Sequence, residues 1–150
     1  MENFMKMEIK ALLENVAAVR VAVSSFISNL DITIDELMHV KTAVSEAVTN
    51  AIEHGYYKIL DDNSTVIVNM YISSNDYDEI KIEIIDMGIG IDDIELVTTP
   101  TYTSKPELEH AGMGFTIMET FMDEISIDSS KDSGTTITLL KRLKKKKSIN

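Results

Sequence analysis

Apolar residues in the first part of the chain recur first at the period of a strand and then at that of a helix. Residues 5–11 place an apolar side chain at every second position, which predicts an edge or half-buried strand. Residues 15–29 then carry apolar side chains at helical spacing and predict a first helix. Asn15 is its expected N-cap, because a short polar side chain there can accept hydrogen bonds from free backbone N–H groups.

A longer helix and a β-hairpin are predicted next. Thr33 and Glu36 have the spacing of a capping box, which marks a helix start. The helix is expected to stop at Gly55, because glycine is typical of helix C-termini. Two alternating runs, residues 66–72 and 80–85, flank a polar connection and predict the hairpin.

The last third of the chain predicts a loop, a short helix and two further strands. Residues 98–110 are rich in Thr, Ser and charge and contain both prolines, which indicates a mobile surface loop. A helix is predicted over residues 113–122, and strands over 124–128 and 135–140. Helices and strands do not alternate strictly. The pattern therefore favours an α+β fold, a two-layer α/β sandwich with a mixed or antiparallel sheet and helices on one face.

Composition restricts the class of protein. The chain has 150 residues, 44% hydrophobic and 26% charged, which is typical of one globular domain. It contains no cysteine, which excludes disulfides and a cysteine nucleophile. No apolar run approaches the roughly 20 residues that cross a bilayer, and the N-terminus lacks a secretory pattern. We therefore expect a cytoplasmic protein without a membrane partner.

Charge is distributed unevenly along the chain. The net charge is −11, and every acidic residue precedes Lys141. Such an acidic body argues against direct binding of nucleic acid, which needs clustered Lys and Arg. The last ten residues are basic instead. We expect a single domain over residues 1–140 and a basic, flexible tail over residues 141–150.

The longer helix carries a first candidate site. Glu46, Asn50 and Glu53 are spaced so that they share one face. A carboxylate and an amide oxygen one turn apart could handle a proton and a hard cation. Taken alone, the same pattern also fits a solvated polar face, and both interpretations stay open.

Two glycine-containing segments are further candidates. Asp86 ends a predicted strand and is followed by Gly88 and Gly90, which fits either a turn or a pocket for a flat ring beside an acidic acceptor. Gly112 and Gly114 precede or open the short helix, which fits a hinge or a phosphate site at a helix N-terminus. The sequence has no P-loop, no G-x-S-x-G elbow and no H-E-x-x-H pair, so those enzyme classes are excluded.

In order and spacing, these segments resemble the Bergerat-type ATP-binding fold shared by gyrase, histidine kinases and a mismatch-repair ATPase. The four sequence boxes of that fold correspond to residues 45–51, 86–90, 112–115 and 134–136. The chain is also similar to the anti-sigma factor family of endospore-forming bacteria, whose members are small serine kinases. The similarity covers nearly the whole chain and is carried by residues 35–37, 44–52, 54–56, 103–109 and 112–119. The resemblance implies a protein serine/threonine kinase.

The resemblance assigns the adenine end of an ATP site. It implies that Asp86 accepts a hydrogen bond from the adenine amino group. Gly88 and Gly90 would shape the base pocket, and Thr136 would lie beside it.

The resemblance also assigns the phosphate end. Asn50 would hold Mg²⁺, and Gly112 and Gly114 would admit the phosphates beneath a lid formed by the predicted loop. Lys105 in that lid would contact a phosphate, and Glu46 would deprotonate the attacking serine hydroxyl. Phosphoryl transfer depends mainly on positioning and charge neutralisation, so this set is chemically sufficient.

The same resemblance implies two protein partners. A homodimer of the chain would hold a sporulation sigma factor inactive and would phosphorylate a serine on an anti-anti-sigma protein. Arg20, the only Arg before the tail, matches a partner-contact position, although it also fits a plain surface residue. Two alternatives stay open: a nucleotide-binding module that sequesters a partner without catalysis, and a detached histidine-kinase-type ATPase domain.

Overall fold

The computed structural model describes residues 2–56, 59, 61–91 and 114–143. Its main elements are β1 (Glu2–Lys10), α1 (Val16–Ile27), α2 (Ile34–Asn50), β2 (Thr65–Ser74), β3 (Asp78–Asp86), α3 (Gly114–Phe121), β4 (Glu124–Ser129) and β5 (Thr135–Leu143). A 3₁₀ turn, Leu13–Asn15, precedes α1, and a π-helical turn, Ala51–Gly55, extends α2. Within these described ranges, no helix is long and apolar enough to cross a membrane.

The five strands form one antiparallel sheet in the order β1-β2-β3-β5-β4. The predicted hairpin is β2–β3, whose register runs from Val66 opposite Asp86 to Ser74 opposite Asp78. Among the described residues, the predicted first strand pairs only with β2 and lies at a sheet edge, as expected. These observations confirm the α+β fold class.

One face of the sheet and the three helices enclose the hydrophobic core. Alternate residues of the central strands are buried: Val66, Val68, Met70, Ile80, Ile82, Ile84, Ile137 and Leu139. The helices contribute Val19, Val23 and Ile27 from α1, Val40, Val44 and Val48 from α2, and Met118 from α3. The opposite sheet face carries partly exposed polar residues such as Lys81 and Glu83. The sandwich therefore has two layers, because its helices cover one face of the sheet.

The two predicted helix caps had different outcomes. The capping box of α2 is confirmed: the Glu36 backbone N–H donates to the Thr33 hydroxyl (3.1 Å), and the Thr33 N–H donates to the Glu36 carboxylate (3.2 Å). For Asn15 the position is confirmed, because it directly precedes α1, but the expected side-chain cap is wrong: Asn15 has helical backbone angles within the 3₁₀ turn and makes no side-chain cap hydrogen bond. Its amide donates instead to the Lys10 carbonyl (3.0 Å), which ties α1 to the end of β1.

The predicted boundary between domain and tail at residue 140 is also wrong. Strand β5 continues to Leu143, opposite Asp78 of β3. The Lys141 ammonium donates to the Phe121 carbonyl at the end of α3 (2.8 Å), where a cation satisfies a free helix carbonyl. Arg142 pairs with Glu79 and Glu124 at 3.3 Å each, on an exposed surface where such pairs add little stability. Residues 144–150 and the predicted loop 98–110 lie outside the described residues.

Candidate functional site

Asp86 is a buried carboxylate at the end of β3. It occupies an inward position of the strand and is 5% exposed. Burial raises the pKa of Asp86 to about 6, because a charged carboxylate is unfavourable away from water; hydrogen bonds from the backbone of Gly88 and Thr135 act in the opposite direction. The Gly88 N–H lies 2.9 Å from one carboxylate oxygen. A buried acid with a shifted pKa at a strand end is a candidate binding residue.

Glycines surround this carboxylate because a Cβ atom would not fit. A Cβ on Gly55 would lie 2.8 Å from the Asp86 side chain, and one on Gly88 would overlap the Gly55 carbonyl oxygen. Gly134, at φ +76°, lies against the Asp86 carbonyl oxygen. Gly55 ends the extension of α2, as predicted. Its φ is not positive, so glycine is required there because a side chain would not fit, and not because the backbone is left-handed. Main-chain atoms therefore enclose much of the Asp86 carboxylate.

Gly55→Ala should destabilise the protein. The added methyl group forces the end of α2 and Asp86 apart, and overpacking of this kind typically costs about 1–3 kcal/mol of unfolding free energy. Urea denaturation measures the loss. Ala17→Ser adds one atom on the exposed side of α1 and should stay within about 0.5 kcal/mol of wild type. Equal midpoints for Gly55→Ala and wild type would show that the end of α2 can move away from Asp86 at no cost in stability.

The segment after Asp86 is held from two sides. On the α2 side, the Ile89 N–H donates to the Gly55 carbonyl (2.7 Å). On the opposite side, the Ser129 hydroxyl accepts from the Ile91 N–H (2.9 Å) and the Asp132 N–H donates to the Ile89 carbonyl (2.5 Å). Gly90 packs against the main chain of the same β4–β5 turn. Residues 86–91 thus bridge the end of α2 and the β4–β5 turn.

The expected position of Thr136 is corrected by the register of β5. Thr136 lies opposite Ile85, on the sheet face away from Asp86, because neighbouring residues of a strand point to opposite faces. Thr135 lies opposite Asp86 and is 7% exposed. Thr135 is therefore the residue beside the carboxylate. The alternation along β5 could have identified Thr135, because it lies on the same inward-facing side of the strand as Ile137 and Leu139.

The structure brings Asn50 and the second glycine segment together. A Cβ on Gly114, the first residue of α3, would lie 2.7 Å from the Asn50 amide nitrogen. His39 of α2 stacks on Phe121 at the other end of α3, with ring centroids 4.5 Å apart. Glu46 lies one turn before Asn50 on α2 and is partly exposed. Gly112 and Lys105, together with the predicted lid, fall outside the described residues.

These residues fit a magnesium–nucleotide complex better than a metal held by protein alone. In the described part of the chain, no group of three His, Asp or Glu residues could hold a metal ion. An Asn50 oxygen is a suitable ligand for Mg²⁺, which commonly takes its remaining ligands from phosphates and water. The N-terminus of α3 lies close to Asn50, and the free backbone N–H groups at the start of a helix favour phosphate binding. The donor set is therefore consistent with a nucleotide-borne cation.

Arg20 lies on α1, apart from the residues around Asp86. Its Nε atom is buried without a hydrogen-bond partner, as is the hydroxyl of Ser24 one turn later. Among the described residues Arg20 also forms no ion pair. A buried donor without a partner is costly, so the Arg20 Nε and the Ser24 hydroxyl are polar atoms of α1 that the described residues leave unsatisfied.

Comparison with known proteins agrees with this geometry. A family model described as a histidine kinase-like ATPase domain matches residues 9–141. Relatives named Anti-sigma F factor include one from Clostridium perfringens (strain 13 / Type A), 52% identical over 143 residues and covering 95% of this chain and 99% of the relative. Another, from Bacillus subtilis (strain 168), is 50% identical over 149 residues and covers 99% of both chains.

A solved structure supports the fold alone. The crystal structure of the RsbU and RsbW domains of Rv1364c from Mycobacterium tuberculosis aligns with a TM-score of 0.60 at 18% identity. The alignment covers 93% of this chain and 32% of that one. From the family match and the near-full-length relatives together, the chain belongs to the histidine kinase-like ATPase domain family, within the group of anti-sigma F factors.

Proposed function

We propose that this chain is an anti-sigma factor that binds and inhibits a sporulation sigma factor and that also acts as a kinase. With ATP and Mg²⁺ it phosphorylates a serine on its anti-anti-sigma antagonist. The observation that carries the proposal is the buried Asp86 carboxylate, enclosed by main chain at one end of a site whose other end joins α2 to the start of α3. The names of the relatives support the sigma-factor partner.

In this proposal Asp86 selects the base. A carboxylate can only accept hydrogen bonds when it is ionised, so it pairs with the amino group of adenine and not with a carbonyl at the same position. Gly88 and Gly90 let the main chain after Asp86 pack against Gly55 and against the β4–β5 turn, and this close packing shapes the base pocket. Burial strengthens the interaction, because water does not compete for the carboxylate.

The phosphate end of the site neutralises charge. Asn50 holds Mg²⁺ by its side-chain oxygen, Gly112 and Gly114 admit the phosphates, and Lys105 contacts one of them. The cation supplies positive charge to a protein whose own net charge of −11 would otherwise repel ATP. Glu46, one turn from Asn50, accepts the proton of the attacking serine hydroxyl. Little else is needed, because phosphoryl transfer relies on alignment and electrostatics.

Incubation with labelled ATP and candidate partner proteins tests the proposal. Transfer of label to a serine of the antagonist supports a serine kinase. ATP binding without transfer would favour a nucleotide-binding module that only sequesters its partner, and an acid-labile phosphohistidine would favour a histidine-kinase-type domain. A pull-down from sporulating cells identifies the sigma factor.

Arg20→Ala should weaken binding of the sigma factor, the antagonist or both by about 30-fold or more. An arginine near the centre of an interface commonly contributes about 2–4 kcal/mol when truncated, and the Arg20 side chain has no ion-pair partner among the described residues. Titration of each purified partner measures the change. ATP affinity should stay at the wild-type value, because Arg20 lies on α1 and outside the nucleotide site.

A matched variant and a mass measurement complete this test. Lys41→Ala removes a partly exposed cation from α2 and should leave both partner affinities within about twofold. Full affinity for both partners in Arg20→Ala would return Arg20 to a plain surface role. Light scattering should give the mass of a homodimer, and a monomeric mass would contradict the dimer.

A further inference from the structure

Tyr56 is a buried tyrosine that joins three elements next to Asp86. It directly follows the π-helical turn of α2 and is 4% exposed. Its hydroxyl donates to the Thr65 carbonyl at the start of β2 (2.5 Å) and accepts from the Met87 N–H just after β3 (2.9 Å). The hydrogen bond between Tyr56 and Met87 is not evident from sequence spacing, because the two residues lie 31 positions apart along the chain.

The hydroxyl of Tyr56 is used in both of its hydrogen-bonding roles. It has one proton to donate, and the Thr65 carbonyl takes it; an oxygen lone pair receives the Met87 N–H. Burial raises the pKa of Tyr56, and the nearby Asp86 carboxylate adds to that effect, so the phenol keeps its proton at neutral pH. No other side-chain type of this size both donates and accepts from the end of a flat ring.

Tyr56 and its neighbour Gly55 together hold the segment that carries the Asp86 hydrogen bond. The Gly55 carbonyl accepts from Ile89, and the Tyr56 hydroxyl accepts from Met87. The two bonds flank Gly88, whose N–H donates to the Asp86 carboxylate. The conformation of this turn is therefore tied to the end of the helix that also carries Glu46 and Asn50.

We propose that Tyr56 is a positioning residue for the nucleotide. Through Met87 it fixes the turn at Gly88 so that the Asp86 carboxylate faces the adenine ring, and it couples that end of the pocket to Asn50 through the end of α2. The inference rests on the proposed nucleotide site, and it adds a residue that touches neither base nor phosphate.

The test compares Tyr56→Phe with Tyr77→Phe in the full-length chain. Phe keeps the ring and removes only the hydroxyl; Tyr77 is 43% exposed in the β2–β3 connection, at the other end of β3 from Asp86. Calorimetry with ADP and Mg²⁺ should show at least about fivefold weaker binding for Tyr56→Phe, within the usual range of coupling between neighbouring sites. Tyr77→Phe should bind ADP within twofold of wild type.

Kinetics separate positioning from chemistry. In phosphate transfer to the antagonist, Tyr56→Phe should raise the KM for ATP by about the same factor as the ADP dissociation constant, with kcat within about threefold of wild type. This pattern is expected because saturating ATP compensates for a loosened turn, whereas Glu46 stays in place on α2. A fall in kcat at unchanged KM would overturn the assignment.

Amide hydrogen exchange supplies a readout that a purely structural role would not move. The Met87 amide loses its acceptor in Tyr56→Phe, and the proposal expects faster exchange at Gly88 as well. If Tyr56→Phe is less stable but Gly88 exchange and ADP affinity are unchanged, Tyr56 only stabilises the core. That result would overturn the inference and leave the proposed nucleotide site standing. Failure of the wild-type protein to bind ADP would overturn the proposed nucleotide site, and the inference with it.

Discussion

Replacing Glu46 with Gln should slow phosphate transfer to the antagonist by about 10²–10⁴-fold, the usual effect of removing a general base. Gln has the same size and can still form hydrogen bonds, but it cannot take the proton of the serine hydroxyl. Single-turnover transfer from labelled ATP, at saturating nucleotide and antagonist, measures the rate of the step. Nucleotide affinity should change little, because Asp86 and Asn50 are untouched.

Glu119→Gln is the matched control for this rate. It makes the same change on an exposed face of α3 and should transfer phosphate at the wild-type rate. Transfer by Glu46→Gln at close to the wild-type rate would show that another group, or the nucleotide itself, accepts the proton. Equal losses of rate in the two variants would point to a general effect of surface charge.

Asp86→Asn should weaken adenine nucleotide binding by about 10- to 150-fold. A charge-assisted hydrogen bond in a buried site typically contributes about 1.5–3 kcal/mol, and Asn presents an uncharged oxygen or an NH₂ group that cannot accept. Calorimetry with ADP measures the change. Asp128→Asn, on the exposed sheet face of β4, should bind like wild type. Unchanged affinity in Asp86→Asn would remove Asp86 from the site.

The pH dependence of binding offers an independent check on Asp86. Its pKa of about 6 means that the free protein ionises this carboxylate only as pH rises through 6. The ratio of nucleotide affinity in wild type to that in Asp86→Asn should therefore increase between pH 5 and pH 7. Taking this ratio removes the effect of phosphate titration, because it is the same for both proteins. Parallel profiles for the two proteins would contradict an ionised Asp86 as the acceptor.

Stability should change with pH in the opposite direction. The folded-state pKa lies above the ordinary aspartate pKa of 3.8, so the folded protein binds this proton more tightly than the unfolded chain. The contribution of Asp86 to stability is therefore greatest below pH 4 and is lost as pH rises through 6. Between pH 4 and pH 7.5, wild type should lose up to about 3 kcal/mol of unfolding free energy that Asp86→Asn does not lose.

Local rules predicted the elements well where the signal lies within a few residues. The capping box at Thr33 is recognised from a partner three residues later. The strands at 66–72 and 80–85 are recognised from the alternation of apolar and polar residues within each segment. Asn15 shows where such rules fail. The residue type and position were right for a cap, but Asn15 has helical backbone angles, and its side-chain NH₂ donates to the Lys10 carbonyl.

The site was predicted less completely, because its walls come from distant parts of the chain. The sequence indicated Asp86 and its glycines, but the packing of Gly55 on the carboxylate and the Tyr56–Met87 hydrogen bond need the fold. Lys141 was assigned to the tail by its charge. Yet it continues the alternation of Leu139 and Leu143, and its long aliphatic stem lets an inward lysine reach a helix end.

The main-chain walls around Asp86 have a consequence for inhibition. A competitive inhibitor that hydrogen-bonds to backbone carbonyl groups near Gly55, Gly88 and Gly134 contacts atoms that every amino acid shares. Substitution cannot delete those atoms, and replacing one of these glycines drives a Cβ into the backbone or the carboxylate beside it. Resistance by mutation of the pocket itself would therefore come at the expense of a correctly folded protein.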